Sequence, residues 1–276
     1  MLNGPRTYRH SPFQIGLIVL VFGIVAVGLL TTISWRDYLL LIPFAGFLGI
    51  VFLTVLYSMT TKTTISENEI STQSILATKS LAWNEINRVS GRGNAIKLHN
   101  NFGDVTVAPS PQLPGYEEVI NWIGIKRPDL FNPLEYGEMS RGWLSTFFLP
   151  ALGLLFFGVA YFIFTQTSDT FFPLLMISII GVLFVGMMFA SVQAVSIQGG
   201  SIVISYLFKR KTVSAAEIAV IDLRYTQTRN GKHYFVALDL VNKKIIRVSG
   251  LSPSLPVVFL VLRNWYKQNA AIGLTN

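Results

Sequence analysis

The strongest feature of the sequence is a set of four segments that contain no charged residue. They cover residues 13–33, 38–58, 143–166 and 171–193. A helix needs roughly 20 apolar residues to cross a hydrocarbon core, where its backbone groups can bond only within the segment. The pattern therefore predicts four transmembrane helices, which the short polar segments 34–37 and 167–170 join into two hairpins.

The composition agrees with a membrane class. Charged residues make up 13% of the chain and the mean hydropathy is +0.50, whereas a soluble domain usually carries about 25% charged residues. The chain has no cysteine, which excludes disulfides, thiolate nucleophiles and zinc sites built on thiolates.

Basic residues are distributed unevenly around the four segments. Of the 22 lysines and arginines, only Arg36 falls in a hairpin loop. Because positive residues favour the cytoplasmic side of a membrane, we expect a multi-pass protein of the cell membrane. In a bacterium this would be the inner membrane. Both termini and both polar blocks would then be cytoplasmic.

The chain also repeats itself at a shift of 132 residues. This shift aligns Ile70 with Ile202 and Glu85 with Glu217, which predicts an internal duplication of a hairpin followed by a polar domain. The predicted parts are a tail (1–12), a first hairpin (13–58), a first domain with its linker (59–142), a second hairpin (143–193) and a second domain (194–276).

Each polar block has the pattern of short strands followed by one helix. The β-compatible runs are 64–65, 69–75, 81–89, 95–99 and 104–107 in the first block, and 201–207, 212–213, 219–225, 233–240 and 244–248 in the second. Asn230-Gly231 favours a tight hairpin turn, because both residues tolerate positive φ. Amphipathic helices are predicted at 111–123 and 255–268.

These elements carry a resemblance to a known family. Two apolar spans, a strand–turn–strand, the segment Leu81-Ala82-Trp83-Asn84-Glu85-Ile86, a further strand and a terminal helix resemble the bacterial pleckstrin-homology-like (bPH) membrane proteins. The resemblance covers nearly the whole chain and implies a small split β-barrel capped by a helix after each hairpin. The second copy departs from the first, because Ala215 stands where the first copy has Trp83.

Residues for catalysis are not apparent. His10, His99 and His233 lie in different segments, and no metal-binding motif, dinucleotide loop or nucleophile–base pair occurs. We therefore predict no catalytic residue, no cofactor, no metal and no enzymatic activity. A transporter is a weaker alternative, because the four apolar segments contain no ionisable residue.

Charge distinguishes the two polar blocks. Residues 194–276 contain eleven basic and three acidic residues, whereas 59–142 contain eight basic and nine acidic residues. The candidate contacts for anionic lipid or an acidic partner are Lys209, Arg210, Lys211, Lys243, Lys244 and Arg247. A solvated positive face is the simpler interpretation. The candidate helix-packing pairs, spaced as small residues four apart, are Ala45 with Gly49 and Gly186 with Ala190.

Three functional hypotheses follow. The first is a non-enzymatic membrane scaffold or accessory subunit whose PH-like domains bind protein partners in a complex. The alternative is a membrane-organising module that binds anionic lipid through its basic second domain, and a small transporter comes last. Nucleic acid is not expected as a partner, because no known module supports it. The sequence leaves the oligomeric state open.

Overall fold

The computed structural model describes residues 4–32, 38–166, 171–228 and 231–273. The predicted hairpin loops at 34–37 and 167–170, and Asn230 of the predicted Asn-Gly turn, lie outside the described residues. The chain divides into two compact units. Unit 1 comprises Met1–Val89 and Lys97–Trp122, and unit 2 comprises Ser90–Ile96 and Ile123–Asn276.

The same order of elements occurs twice along the chain. The first series is β1 (Arg6–Tyr8), α1 (Pro12–Thr32), α2 (Tyr38–Thr60), β2 (Lys62–Ile65), β3 (Glu69–Gln73), β4 (Thr78–Ala82), β5 (Arg88–Ser90), β6 (Lys97–His99), β7 (Thr106–Val107) and α3 (Tyr116–Lys126). The second is β8 (Glu138–Ser140), α4 (Trp143–Gln166), α5 (Phe171–Ala190), β9 (Ala194–Gln198), β10 (Ser201–Ser205), β11 (Arg210–Ser214), β12 (Ile218–Thr228), β13 (Gly231–Leu240), β14 (Ile245–Val248) and α6 (Leu255–Gly273).

The predicted four-span membrane fold is wrong for the described chain. Helices α1, α2, α4 and α5 form where the apolar segments lie. Among the described residues, however, no helix combines the length and the apolar character that a membrane crossing requires. A crossing takes about 20 consecutive apolar residues in one helix. The predicted multi-pass location, with termini and domains on the cytoplasmic side, is overturned by the same finding.

The long helices pack in pairs within each unit. In unit 1 the rings of Phe22 and Phe52 join α1 to α2, with their centroids 5.0 Å apart. In unit 2 the rings of Phe156 and Phe184 stack between α4 and α5 at 5.6 Å. Many other large apolar side chains of these helices are exposed, Leu154 to 72%.

Four antiparallel sheets make up the β structure of the described chain. Two have four strands, in the orders β1-β2-β3-β4 and β11-β10-β9-β8, and two have three strands, β5-β6-β7 and β12-β13-β14. In each four-stranded sheet one edge strand, β1 or β8, lies before the helix pair in the chain. It pairs with the first strand after the helix pair, β2 or β9. Tyr8 pairs with Thr63 in unit 1, and Ser140 pairs with Ala194 in unit 2.

A short 3₁₀ turn follows the third strand after each helix pair. It covers Trp83–Glu85 after β4 and Ala215–Glu217 after β11. The Glu85 carboxylate accepts the backbone N–H of Ala82 at 3.2 Å. The Glu217 carboxylate accepts that of Ser214 at 2.9 Å. Because each carboxylate satisfies an N–H group at the start of the turn, the two glutamates occupy equivalent positions.

The cores lie between the sheets and the terminal helices. Tyr116, Val119, Ile120 and Ile123 of α3 are fully buried. In α6 the whole run 255–262 is buried, and Trp265 follows it one turn later. Trp122 of α3 is only half-buried, and the guanidinium of Arg6 lies 6.0 Å from the centroid of its ring.

Candidate anion-binding surface

The first predicted basic cluster lies at the turn between β10 and β11, which we call the basic tip and define as residues 206–211. The backbone N–H of Tyr206 donates to the Lys209 carbonyl at 2.7 Å. Leu207 and Phe208 therefore occupy the two positions at the end of the turn. Phe208 is 83% exposed. A large apolar side chain is thus presented to the outside, directly before three consecutive cations.

The basic tip is partly supported by a helix. The ring of Phe208 stacks on Phe189, near the end of α5, with their centroids 5.3 Å apart. A shallow cavity of about 260 Å³ is lined by Phe189, Tyr206, Phe208, Lys209 and Lys211. Burial raises the pKa of the Tyr206 hydroxyl. Arg210 does not line this cavity, because side chains alternate in direction along a strand.

The second predicted cluster, Lys243 and Lys244, lies at a different place. It forms the turn between β13 and β14, where Lys243 adopts a φ of 63°. The N–H of Val241, in the same turn, donates to the Glu217 carbonyl at 2.9 Å. The two clusters therefore lie in turns of two different sheets, β11-β10-β9-β8 and β12-β13-β14.

Arg247 belongs to neither cluster. It lies on the exposed face of β14, with its guanidinium carbon 5.0 Å from the centroid of the Phe235 ring. The same face carries Arg224, which donates to Asp222 at 3.1 Å and also to Asp239. The two carboxylates raise the pKa of the Arg224 guanidinium, Asp239 more strongly. This face has mixed charge, so it does not extend the basic tip.

The predicted helix-packing pairs do not make close contacts in the described chain. A Cβ built on Gly49 or Gly186 meets no atom within 4 Å, and Ala45 and Ala190 are exposed. The close approach instead involves Gly181, where a Cβ would lie 2.9 Å from the Phe157 ring. Gly181 is the residue that the shift of 132 aligns with Gly49. The two aligned glycines therefore differ, because only Gly181 lies against a side chain of the neighbouring helix.

The histidines remain in separate elements. His10 is buried before α1, and His233 is exposed on β13. His99 on β6 lies 3.0 Å from the Thr106 hydroxyl, and burial, with Arg88 and Lys97 nearby, lowers its pKa. Among the described residues, no three side chains of the types that ligate metals come together.

The sequence analysis named the cations of the basic tip as candidates but did not name Tyr206 and Phe189, which line the cavity beside them. The signal for Tyr206 was present, because Tyr206-Leu207-Phe208 is an aromatic run directly before the basic residues. Phe189 belongs to another element, so only the fold reveals its contact. A scan of the chain against protein-family models finds no match, and a search of curated proteins finds none either. The bPH resemblance therefore stays a prediction from the residues alone.

Proposed function

We propose that the protein is a non-enzymatic binding protein that docks on anionic phospholipid surfaces through the basic tip. The observation that carries the proposal is the 83% exposure of Phe208 at the end of a turn that continues into Lys209, Arg210 and Lys211. No acidic residue occurs between 199 and 216. An exposed aromatic ring beside uncompensated cations suits an interface that is apolar below a layer of negative charge.

The cations and the ring contribute in different ways. Each lysine or arginine near an anionic surface adds attraction that falls off within a Debye length, so this part of the binding weakens in salt. The Phe208 ring buries apolar area on contact, and that part is insensitive to salt. We therefore expect binding to anionic vesicles to decrease at high salt without disappearing entirely.

The test compares the full chain on vesicles of phosphatidylcholine with and without phosphatidylglycerol. Phosphatidylglycerol should raise the affinity of the wild type for vesicles, and the variant K209Q/R210Q/K211Q should reduce this gain about 100-fold. The variant K243Q/K244Q/K267Q removes the same charge from exposed positions elsewhere in unit 2 and should lose little. Because the readout is the difference between the two vesicles, adsorption that does not depend on charge cancels. An equal loss in both variants would overturn the proposal.

A second candidate function is a scaffold that binds a protein partner, and strand β14 favours it. In the described part of the chain, β14 has a paired strand on one side only. The N–H of Leu240 donates to the Lys244 carbonyl at 2.9 Å, so by the antiparallel alternation Ile245 and Arg247 direct their N–H groups away from β13. Val241 and Ile245, exposed to 67% and 53%, lie beside this edge. A partner strand could pair here.

Proline substitution tests this edge. R247P removes an N–H that points outward, whereas the exposed R247A keeps it. If a partner pairs with β14, a protein that co-purifies with the wild-type chain should be retained by R247A and lost with R247P. Equal retention by both variants, with unchanged circular dichroism, would exclude strand pairing at β14.

A further inference from the structure

Unit 2 contains a further cavity, whose lining residues lie far from the basic tip in the sequence. Its volume is about 540 Å³, within the range of small-molecule sites. Three loops form it, together with Phe148 of α4: the segment 91–93, Gly142 after β8, and the segment 250–254 before α6. No aspartate or glutamate is among the residues that line it.

An unpaired cation, Arg141, lies beside two residues that line this cavity, Gly142 and Gly250. The Arg141 guanidinium covers Gly250, with Nη2 3.1 Å from the position that a Cβ would take there. Its Nε atom is buried and has no hydrogen-bond partner, and among the described residues no carboxylate pairs with this arginine. Burial lowers the pKa of Arg141. The residue as a whole is half-buried, and a charge partly withdrawn from water without a partner is costly, so the position is suited to an anion.

The other wall holds an unpaired hydroxyl at a helix N-terminus. Ser254 is 1% exposed, and its Oγ has no hydrogen-bond partner. The residue directly precedes α6, and Val258 donates to its carbonyl at 3.0 Å. A serine here usually accepts a bond from the first turn of the helix, but this hydroxyl does not. The positive end of the α6 dipole also favours an anion at this place.

Glycines keep the walls close to these groups. A Cβ on Gly91 would lie 2.1 Å from the Ala95 carbonyl and 2.7 Å from the Ser254 Oγ. Gly93 has a φ of +60°, and its carbonyl accepts the Leu255 N–H at 2.8 Å. Any other residue at Gly91 would therefore move the loop away from Ser254. Between the two glycines, the exposed Arg92 adds a second cation to the lining.

We propose that this cavity binds the phosphate group of a phosphate ester, with Arg141 and Arg92 supplying the positive charge and the Ser254 hydroxyl donating a hydrogen bond. The ester class follows from the remaining wall. Phe148, Leu251 and Pro253 line the same cavity, and they offer an apolar surface to the organic part of the ligand. A soluble ester and a lipid headgroup share this chemistry.

The test measures thermal unfolding of the full chain at constant ionic strength while chloride is replaced by inorganic phosphate or by glycerol phosphate. A ligand that binds only the folded state raises the midpoint in a saturable way. We expect this rise for the wild type. R141Q and S254A should weaken phosphate binding at least about tenfold, because R141Q removes a positive charge beside the cavity and S254A removes a hydrogen-bond donor from its wall. K267Q, which removes an exposed charge about 18 Å further along α6, should keep the response.

Two further arms complete the experiment. R92Q changes an exposed residue and should fold, so it keeps the proposal testable if R141Q does not. Vesicles containing phosphatidic acid, compared with glycerol phosphate in solution, distinguish a lipid headgroup from a soluble ester. Binding of either source with loss in S254A and R92Q supports the site. The absence of a response to all three probes, or an undiminished response in S254A and R92Q, would overturn it.

Discussion

Two tryptophans from different elements make the same kind of contact in the two halves of the chain. In unit 1 the indole N–H of Trp83, in the 3₁₀ turn, donates to the Ser66 carbonyl at 3.1 Å. In unit 2, where Ala215 replaces this tryptophan, the indole N–H of Trp265 donates to the Gly199 carbonyl at 2.7 Å. Both carbonyls lie in the turn after the first strand that follows the helix pair. Trp265 of the terminal helix α6 thus supplies the indole N–H that the 3₁₀ turn at Ala215–Glu217 lacks.

This exchange predicts an order of stabilities among tryptophan variants. W83A and W265A should each lower the free energy of unfolding by about 3–5 kcal/mol, because each empties a buried site. W122A should cost less than either, since Trp122 is only half-buried. Denaturant unfolding of the three variants measures the difference. A loss in W122A as large as that in W265A would contradict the assignment of Trp265 to the place of Trp83.

At the scale of elements, local signals were sufficient for several boundaries. The helix predicted at 255–268 is α6, Leu255–Gly273, because Pro256 fits the first turn of a helix. The helix predicted at 111–123 begins later, at Tyr116, since Gly115 before it takes a φ of +75°. The cations of the basic tip were also predictable, because they follow a clear strand pattern at a turn.

Elements that depend on distant partners were not predictable. Strands β1 and β8 have three residues each, and each pairs across an entire helix pair. Their sequences lack the alternation that marks a strand, so only the register with β2 or β9 defines them. The single strand predicted at 81–89 is interrupted, because the Glu85 carboxylate holds the Ala82 N–H in a 3₁₀ turn. The Arg141 cavity was missed for a related reason: its walls come from three separate loops.

At the scale of the whole molecule, the apolar segments were located correctly but their interpretation as membrane spans was wrong. The apolar composition of these segments predicts where the long helices lie in the chain. Among the described residues, however, no helix is both long and apolar enough for a membrane crossing. The long helices of the described chain nevertheless have exposed apolar side chains, with Phe13 exposed to 78% and Tyr161 to 71%.

These faces predict the behaviour of the isolated chain in solution. Contiguous exposed apolar area favours association, so we expect the chain to sediment as species larger than its 30.7 kDa monomer in plain buffer. High salt should not dissociate them, because the attraction is not electrostatic. A non-ionic detergent should reduce their size, since it covers apolar surface without changing charge. Sedimentation velocity over a tenfold range of concentration measures this.

A pair of variants separates the helices from the basic tip as the cause of this association. F13S/L154S/Y161S changes three exposed side chains on α1 and α4 and should shift the distribution towards smaller species. F208S changes one exposed ring in the basic tip and should leave the distribution close to that of the wild type, because the area that it removes is small compared with the helix faces. If the wild-type chain were monomeric in plain buffer at every concentration, the exposed faces would not drive association. A size change in F208S alone would instead assign the contact to the basic tip.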